Sequence, residues 1–101
     1  SAAYLNGMGE AVGELRRYIL DAIRRGDLAP GEELLAAMDD IYGVLVTMDF
    51  PDALTGGLRR TTDSVRGILE RTRGDITLAS EQRGLERKLE ALEKRLNKKH
   101  L

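Results

Sequence analysis

The stretch VRGILERTRGDITLASEQRGLERKLEALEKRL, residues 65 to 96, contains no proline and repeats apolar residues every three or four positions. That spacing is the period of one face of an α-helix. Only Gly74-Asp75 resembles a stop signal within it. We therefore predict one long helix of about 45 residues, which starts near Pro51 or Asp52 and runs to the end of the chain, with a possible kink near Gly74.

The leucine pattern changes phase within this stretch. Leu85, Leu89, Leu92 and Leu96 are one step out of phase with the earlier apolar residues, so either a turn or a stutter lies between Arg71 and Leu78. A helix of this length would measure about 65 Å, far more than the shorter helices it can pack against. Its last part, LERKLEALEKRL (residues 85 to 96), alternates leucines with Glu, Lys and Arg as a coiled-coil seam does. Two interpretations stay open for it: a solvated amphipathic helix that covers its own bundle, or the seam of a homo-oligomer.

Two more segments of helical period precede the long helix. The first runs from Tyr4 to Arg25 and the second from Glu32 to Met48, and a short connection that contains Pro30 joins them. Helices joined by a short loop pack as antiparallel neighbours. The predicted fold is all-α, with a helical hairpin (about 3–25 and 32–48) packed on a long C-terminal helix in a single domain over residues 1–101.

Composition narrows the class of protein further. The 16 basic and 17 acidic residues give a net charge of −1, so any contact with nucleic acid must come from a local patch. Because the chain has no cysteine, it has no disulfide or thiolate metal site, and a cytoplasmic location is expected. No apolar run approaches the length of a membrane span, so we expect no membrane partner. The start at Ser1-Ala2-Ala3, without methionine, leads us to expect a fragment of something longer.

Few residue types remain that could carry chemistry. The sole histidine, His100, lies in the basic tail, so nucleophilic triads and nitrogen-ligated or sulfur-ligated zinc are not expected. What remains is a pair of carboxylates that bind a hard cation, Mg²⁺ or Mn²⁺. Glu10 and Glu14 are the best candidates, because their i, i+4 spacing places both on one helical face with Cβ atoms about 5–6 Å apart.

The alternative for this pair is that both glutamates are solvated, with Glu14 paired to Arg17. The acidic pairs Asp39-Asp40 and Asp49/Asp52 are weaker candidates, since the first points to different faces and the second has the character of a turn and a helix N-cap. Each of the two glutamates also follows a glycine, Gly9 or Gly13, and these glycines would fit a close helix crossing that alanine would block.

Basic residues occur in adjacent pairs without interleaved aromatic residues. Arg16, Arg17, Arg59 and Arg60 are the candidate nucleic-acid-binding residues, through contacts to phosphate. Ordinary solvated surfaces are the alternative for each of them.

Several stretches together resemble one known family. They are Tyr4-Leu5 with GMGEAVGELRR (7–17), the helix that carries MDDIYG (38–43), and DFPDALTGGLRRTTDSVRGILERTRGD (49–75). In order and spacing they are similar to the C-terminal half of the translin family, above all to its catalytic branch, the translin-associated factor X proteins, and to archaeal members. The resemblance covers nearly the whole chain.

The resemblance implies an all-helical protein that forms hollow oligomers, binds single-stranded RNA or DNA, and in the catalytic branch cuts RNA with metal ions held by acidic residues. It implies that Glu10 and Glu14 are catalytic metal ligands for Mg²⁺ or Mn²⁺. The chain departs from the family because nothing matches the N-terminal helices that carry two further acidic ligands. We expect a full-length parent that is a metal-dependent endoribonuclease and a fragment that is inactive alone. The alternative is a helical oligomerisation module, natural or engineered, with no catalytic activity.

Overall fold

The computed structural model describes residues 2–48 and 52–99. They form three α-helices: α1 (Ala2–Arg24), α2 (Ala29–Thr47) and α3 (Asp52–Lys99). No strand occurs among these residues. The predicted all-α fold is confirmed, with α1 and α2 as a hairpin that packs on the long α3. The residues Ser1, Asp49, Phe50, Pro51 and His100, which the sequence analysis names, lie outside the described part of the chain.

The turn between α1 and α2 has local causes in the sequence. Gly26 has φ +78°, a left-handed conformation that glycine adopts without steric penalty. The Asp27 carboxylate then accepts a hydrogen bond of 3.1 Å from the backbone N–H of Ala29, the first residue of α2. Helix α2 begins at Ala29, three residues before the predicted start at Glu32. Pro30 fits the first turn of a helix, because backbone N–H groups there have no partner within the helix and proline has no N–H.

The core lies between the hairpin and the N-terminal part of α3. Each helix contributes three buried apolar residues to one cluster: Leu5, Val12 and Ile19 from α1, Leu35, Met38 and Leu45 from α2, and Val65, Leu69 and Ile76 from α3. Among the described residues, Gly31 is the glycine that packs most closely against another helix, because a Cβ atom there would lie 3.4 Å from Ile76 Cδ1. The predicted close crossing at Gly9 and Gly13 is wrong: a Cβ at Gly9 would make an ordinary 3.8 Å contact, and one at Gly13 would meet nothing within 4 Å.

Helix α3 continues through Gly74 without interruption, so the alternative of a turn between Arg71 and Leu78 is wrong. Its 48 residues account for the longest dimension of the molecule, 74 Å. About two-thirds of the way along the helix, Arg83 donates a hydrogen bond to the carbonyl of Gly26 at the hairpin turn. Every residue from Leu85 to Lys99 is exposed. This segment, residues 85–99, is called the tail below.

The phase change in the leucine pattern is therefore a change of helix face. Leu69 and Leu78 are nine residues apart, as are Ile76 and Leu85, and nine residues make about two and a half helical turns. Leu69 and Ile76 are buried against the hairpin, whereas Leu78 and Leu85 are 54% and 58% exposed. In the part of the chain that the structure describes, no helix is long and apolar enough to cross a membrane.

We expect Met38→Ala to lower the free energy of unfolding by about 2–5 kcal/mol, because Met38 is fully buried and its loss leaves a cavity. Glu33→Ala, at an exposed position of the same helix, should change it by less than about 0.5 kcal/mol. Urea titration followed by circular dichroism measures both values. Equal effects of the two substitutions would contradict the packing of α2 on the core.

Candidate functional site

Glu10 and Glu14 lie on the exposed face of α1, away from the buried Val12 and Ile19. The shared face agrees with their i, i+4 spacing. Glu14 forms an ion pair with Arg17, with 3.3 Å between Oε1 and Nη1, and both side chains are about 70% exposed. Such an exposed pair contributes little to stability. The structure therefore contains the Glu14–Arg17 ion pair that the alternative interpretation expected, and the Glu14 carboxylate is still exposed to solvent.

The described residues supply only part of a donor set for a metal. Among residues 2–48 and 52–99, no group of three or more His, Cys, Asp or Glu side chains is placed to hold a metal ion. Mg²⁺ keeps octahedral geometry and is held in position by several oxygen ligands. Two carboxylates on an open helix face do not fix such an ion, so Glu10 and Glu14 fit only part of the site that the family resemblance implies.

An open groove between α1 and α3 brings Glu10 together with residues far away in the sequence. It has a volume of about 410 Å³ and is lined by Leu5, Asn6, Gly9, Glu10, Gly57, Arg60, Thr61 and Ser64. The groove therefore has a carboxylate on its α1 side and a guanidinium on its α3 side, and its lining also includes amide and hydroxyl groups. Spacing in the sequence could not reveal this juxtaposition, because the two helices meet only through packing.

The four arginines singled out from the sequence have different surroundings. Arg60 lines the groove with Glu10, whereas Arg59 lines a separate groove between α2 and α3 that includes Val46 and Leu58. Both arginines are exposed. Adjacent residues of a helix point about 100° apart, which explains why the pair divides between two grooves.

Arg16 has intramolecular partners. Its Nη1 lies 2.9 Å from Asp75 Oδ2 and donates a 3.0 Å hydrogen bond to Thr72 Oγ1. The Thr72 hydroxyl in turn donates to the carbonyl of Ile68 at 2.7 Å. Thr72 is fully buried, and these bonds satisfy its hydroxyl. The described contacts of Arg16 therefore join α1 to α3.

Two further polar links join α2 to α3, and the sequence analysis did not identify them. Arg66 donates hydrogen bonds of 3.0 and 2.9 Å to the Tyr42 hydroxyl, and this bond raises the pKa of Arg66 above its ordinary value. The guanidinium carbon is 5.7 Å from the ring centroid, so Arg66 contacts mainly the hydroxyl end of Tyr42. Asp39, a weaker candidate for a metal ligand, forms an ion pair with Arg73, with 3.4 Å between Oδ2 and Nη2.

Comparison with known proteins gives one informative similarity. An uncharacterized protein of Methanocaldococcus jannaschii is 41% identical to this chain over 73 residues, which cover 72% of this chain. The chain spans only 32% of the length of that relative. No protein-family model matches the chain, and no solved structure matches it. The resemblance to the translin family therefore stays a prediction.

We expect Thr72→Val to lower the free energy of unfolding by about 1 kcal/mol, because it removes the hydroxyl that links Arg16 to the backbone of α3 while keeping the side-chain shape. Thr77→Val is the matched control at an exposed position of the same helix. Thermal unfolding of both variants measures the difference. A Thr72→Val protein as stable as the control would show that the buried link does not hold α1 on α3.

Proposed function

We propose that this chain is a nucleic-acid-binding part of a translin-like cytoplasmic protein, and that its full-length parent is a metal-dependent endoribonuclease acting on single-stranded RNA. The observation that carries the proposal is the groove in which Glu10 and Arg60 lie on opposite sides. A guanidinium pairs with phosphate oxygens, and a carboxylate binds the divalent cations that accompany phosphodiesters.

The polar lining of the groove supports binding to a nucleic-acid backbone. Asn6, Thr61 and Ser64 add amide and hydroxyl groups, the side-chain types that contact phosphate and sugar oxygens. The groove is open to solvent, and none of the described residues that line it is aromatic, so these residues favour contacts to the backbone over stacking of bases. Because the net charge is −1, attraction of RNA depends on local positive charge, which Arg60 supplies in this groove and Arg59 supplies from the separate groove beside it.

Cleavage of RNA is assigned to the parent. In-line attack on a phosphodiester requires a cation held in position and a substrate oriented against it. Glu10 and Glu14 would supply two of the ligands for Mg²⁺ or Mn²⁺, and the remaining ligands would come from parts of the parent outside this chain. The length of the Methanocaldococcus jannaschii relative is compatible with such a parent.

A second candidate function is a helical oligomerisation module without catalytic activity. The observation in its favour is the tail of α3, where Leu85, Leu89, Leu92 and Leu96 are 45–58% exposed. Because each leucine is only about half exposed, association contributes less for each than the roughly 1.5–3 kcal/mol of complete burial, before entropy is subtracted. We propose that the chain forms a homo-oligomer through this segment, which is compatible with binding of single-stranded RNA or DNA by the groove.

Arg59→Ala/Arg60→Ala should weaken the binding of a fluorescein-labelled single-stranded RNA to this chain. If each arginine contacts one phosphate, the slope of log K against log salt becomes shallower by about 0.7 for each. Fluorescence anisotropy at several salt concentrations measures the slope, with labelled single-stranded DNA in parallel. Arg87→Ala, which removes an exposed arginine from the tail, is the control and should leave the slope unchanged. An unchanged slope in the double variant would remove these arginines from the interface.

The chain alone should not cleave labelled single-stranded RNA with Mg²⁺ or Mn²⁺, whereas the full-length parent should cleave it. Glu10→Gln/Glu14→Gln in the parent should abolish cleavage, since both charged ligands are lost while the helix is retained. Gel analysis of the labelled RNA after incubation with each protein measures this. Activity of the parent that survives the double substitution would exclude the two glutamates from catalysis. Metal-dependent cleavage by the chain alone would show that an oligomer completes the site.

A further inference from the structure

One surface of α3 is apolar and lies away from the hairpin. It is called the leucine stripe and consists of Leu78, Leu85, Leu89, Leu92 and Leu96, which are all between 45% and 58% exposed. From Leu85 onward the spacings are four, three and four residues, the a and d positions of a heptad repeat. Since Leu78 falls seven residues before Leu85, the same repeat begins beside the hairpin.

We propose that the leucine stripe is the seam of a parallel, two-stranded coiled coil with a second copy of this chain. The proposal deepens the second candidate function, on which it rests. The stripe lies on the side of α3 opposite to the face that contacts the hairpin. Leu78 follows the buried Leu69 by nine residues, and Leu85 follows the buried Ile76 by nine residues. Nine residues make about two and a half turns of a helix. Along the tail, two copies can therefore place their α3 helices against each other while both hairpins stay on the outer sides. At the start of the seam, Gln82 and Glu86 also line a groove with Ile23, Gly26 and Leu28 of the hairpin.

Charges beside the stripe complement those of a second copy at Lys88 and Glu93, and they favour one direction of pairing. Glu86 and Glu93 occupy the e positions on one flank, and Lys88 and Arg95 occupy the g positions on the other. In a parallel coiled coil, a g residue faces the e residue of the next heptad in the other helix. Lys88 then faces the partner's Glu93, and two-fold symmetry repeats the attractive pair.

An antiparallel arrangement of the same seam has worse charge pairing. There the e positions face each other and the g positions face each other, so that Glu86 would face the partner's Glu93 and Lys88 would face the partner's Arg95. Four pairs of like charge result once two-fold symmetry is applied. The parallel arrangement has two attractive pairs and, at the start of the seam, two like-charged pairs of Glu81 with the partner's Glu86. Like charges across a seam destabilise it, so the parallel direction is favoured.

The direction has a consequence for the groove that contains Glu10 and Arg60. Ser64, the groove residue closest in sequence to the stripe, precedes Leu78 by fourteen residues, or about 21 Å of helix. The seam therefore leaves the groove uncovered. A parallel pair presents both grooves at the same end of the assembly, where one strand of RNA can contact two copies, whereas an antiparallel pair would separate the grooves to opposite ends.

Lys88→Glu tests the direction, with Lys94→Glu as a control that makes the same charge change on the outward f position of the tail. In the parallel pair, Lys88→Glu converts two attractive pairs into repulsive ones, and we expect the dimer dissociation constant to rise roughly tenfold. Lys94→Glu should change it less than about twofold. In an antiparallel pair, Lys88→Glu would instead face the partner's Arg95 and tighten the dimer. Sedimentation equilibrium at two loading concentrations measures these constants, and circular dichroism checks that both variants stay helical.

Disulfide formation gives a second, independent measurement. The chain has no cysteine, so Gln82→Cys introduces a single thiol at an a position of the seam. In the parallel pair this thiol lies beside its counterpart, and mild oxidation should give a covalent dimer. In an antiparallel pair centred between Leu89 and Leu92, the two thiols would be about 25 Å apart along the axis and no bond would form. Arg87→Cys, on the outward face, is the control and should not cross-link.

The outcomes separate this proposal from the functions on which it builds. A wild-type chain that sediments at 11.2 kDa at tens of micromolar would overturn both the coiled coil and the oligomerisation module. A mass of twice 11.2 kDa combined with a tighter Lys88→Glu dimer, or with no Gln82→Cys cross-link, would overturn the parallel direction alone. A larger assembly would overturn the two-copy seam. A wild-type chain that forms the dimer and does not bind the labelled RNA would contradict only the proposed nucleic-acid function.

Discussion

The structure depends on the mismatch in length between α3 and the hairpin that packs on it. Helix α3 has 48 residues, whereas α1 and α2 have 23 and 19, so a helix of about 72 Å meets partners of about 35 and 29 Å. Backbone hydrogen bonding continues through Gly74 because no proline interrupts it. The hairpin covers only about the first two-thirds of α3, as far as Arg83, and every residue of the tail is exposed. The division of the molecule into a packed half and an exposed tail follows from this constraint.

Two kinds of contact hold the packed half together. The apolar cluster, with three buried residues from each helix, provides most of the stabilisation, since removal of apolar surface from water is the dominant favourable term in folding. Polar links then set the positions of the helices around it. Arg16 reaches Thr72 and Asp75 from α1, and Arg66 reaches Tyr42 on α2. Glu10 and Arg60 do not take part in these polar links. Their groove is open to solvent and lies at the end of the bundle far from the tail.

The candidate site was only partly predictable. The shared exposed face of Glu10 and Glu14 followed from helical spacing, which depends on local geometry alone. The partners of Arg16 did not follow, because Thr72 and Asp75 reach it only after α1 packs on α3. For the same reason the pattern of adjacent arginines could not distinguish Arg16, with its intramolecular partners, from Arg60, which faces a groove. The glycines before the two glutamates suggested a close crossing, whereas the close approach occurs at Gly31 against Ile76.

The sequence by itself determined the all-α class, the order of the helical segments and the hairpin turn at Gly26-Asp27, because helical period and turn residues act through neighbouring residues. It left open whether a turn near Gly74 divides the last segment. It also marked the phase change among the leucines. Only the tertiary structure decided what that change means: the helix does not turn, and the leucines move to the face opposite the hairpin, where Leu78 and Leu85 are exposed. Contacts between distant segments, such as the groove shared by Glu10 and Arg60, likewise arise from packing, since no local signal specifies which faces of two helices will meet.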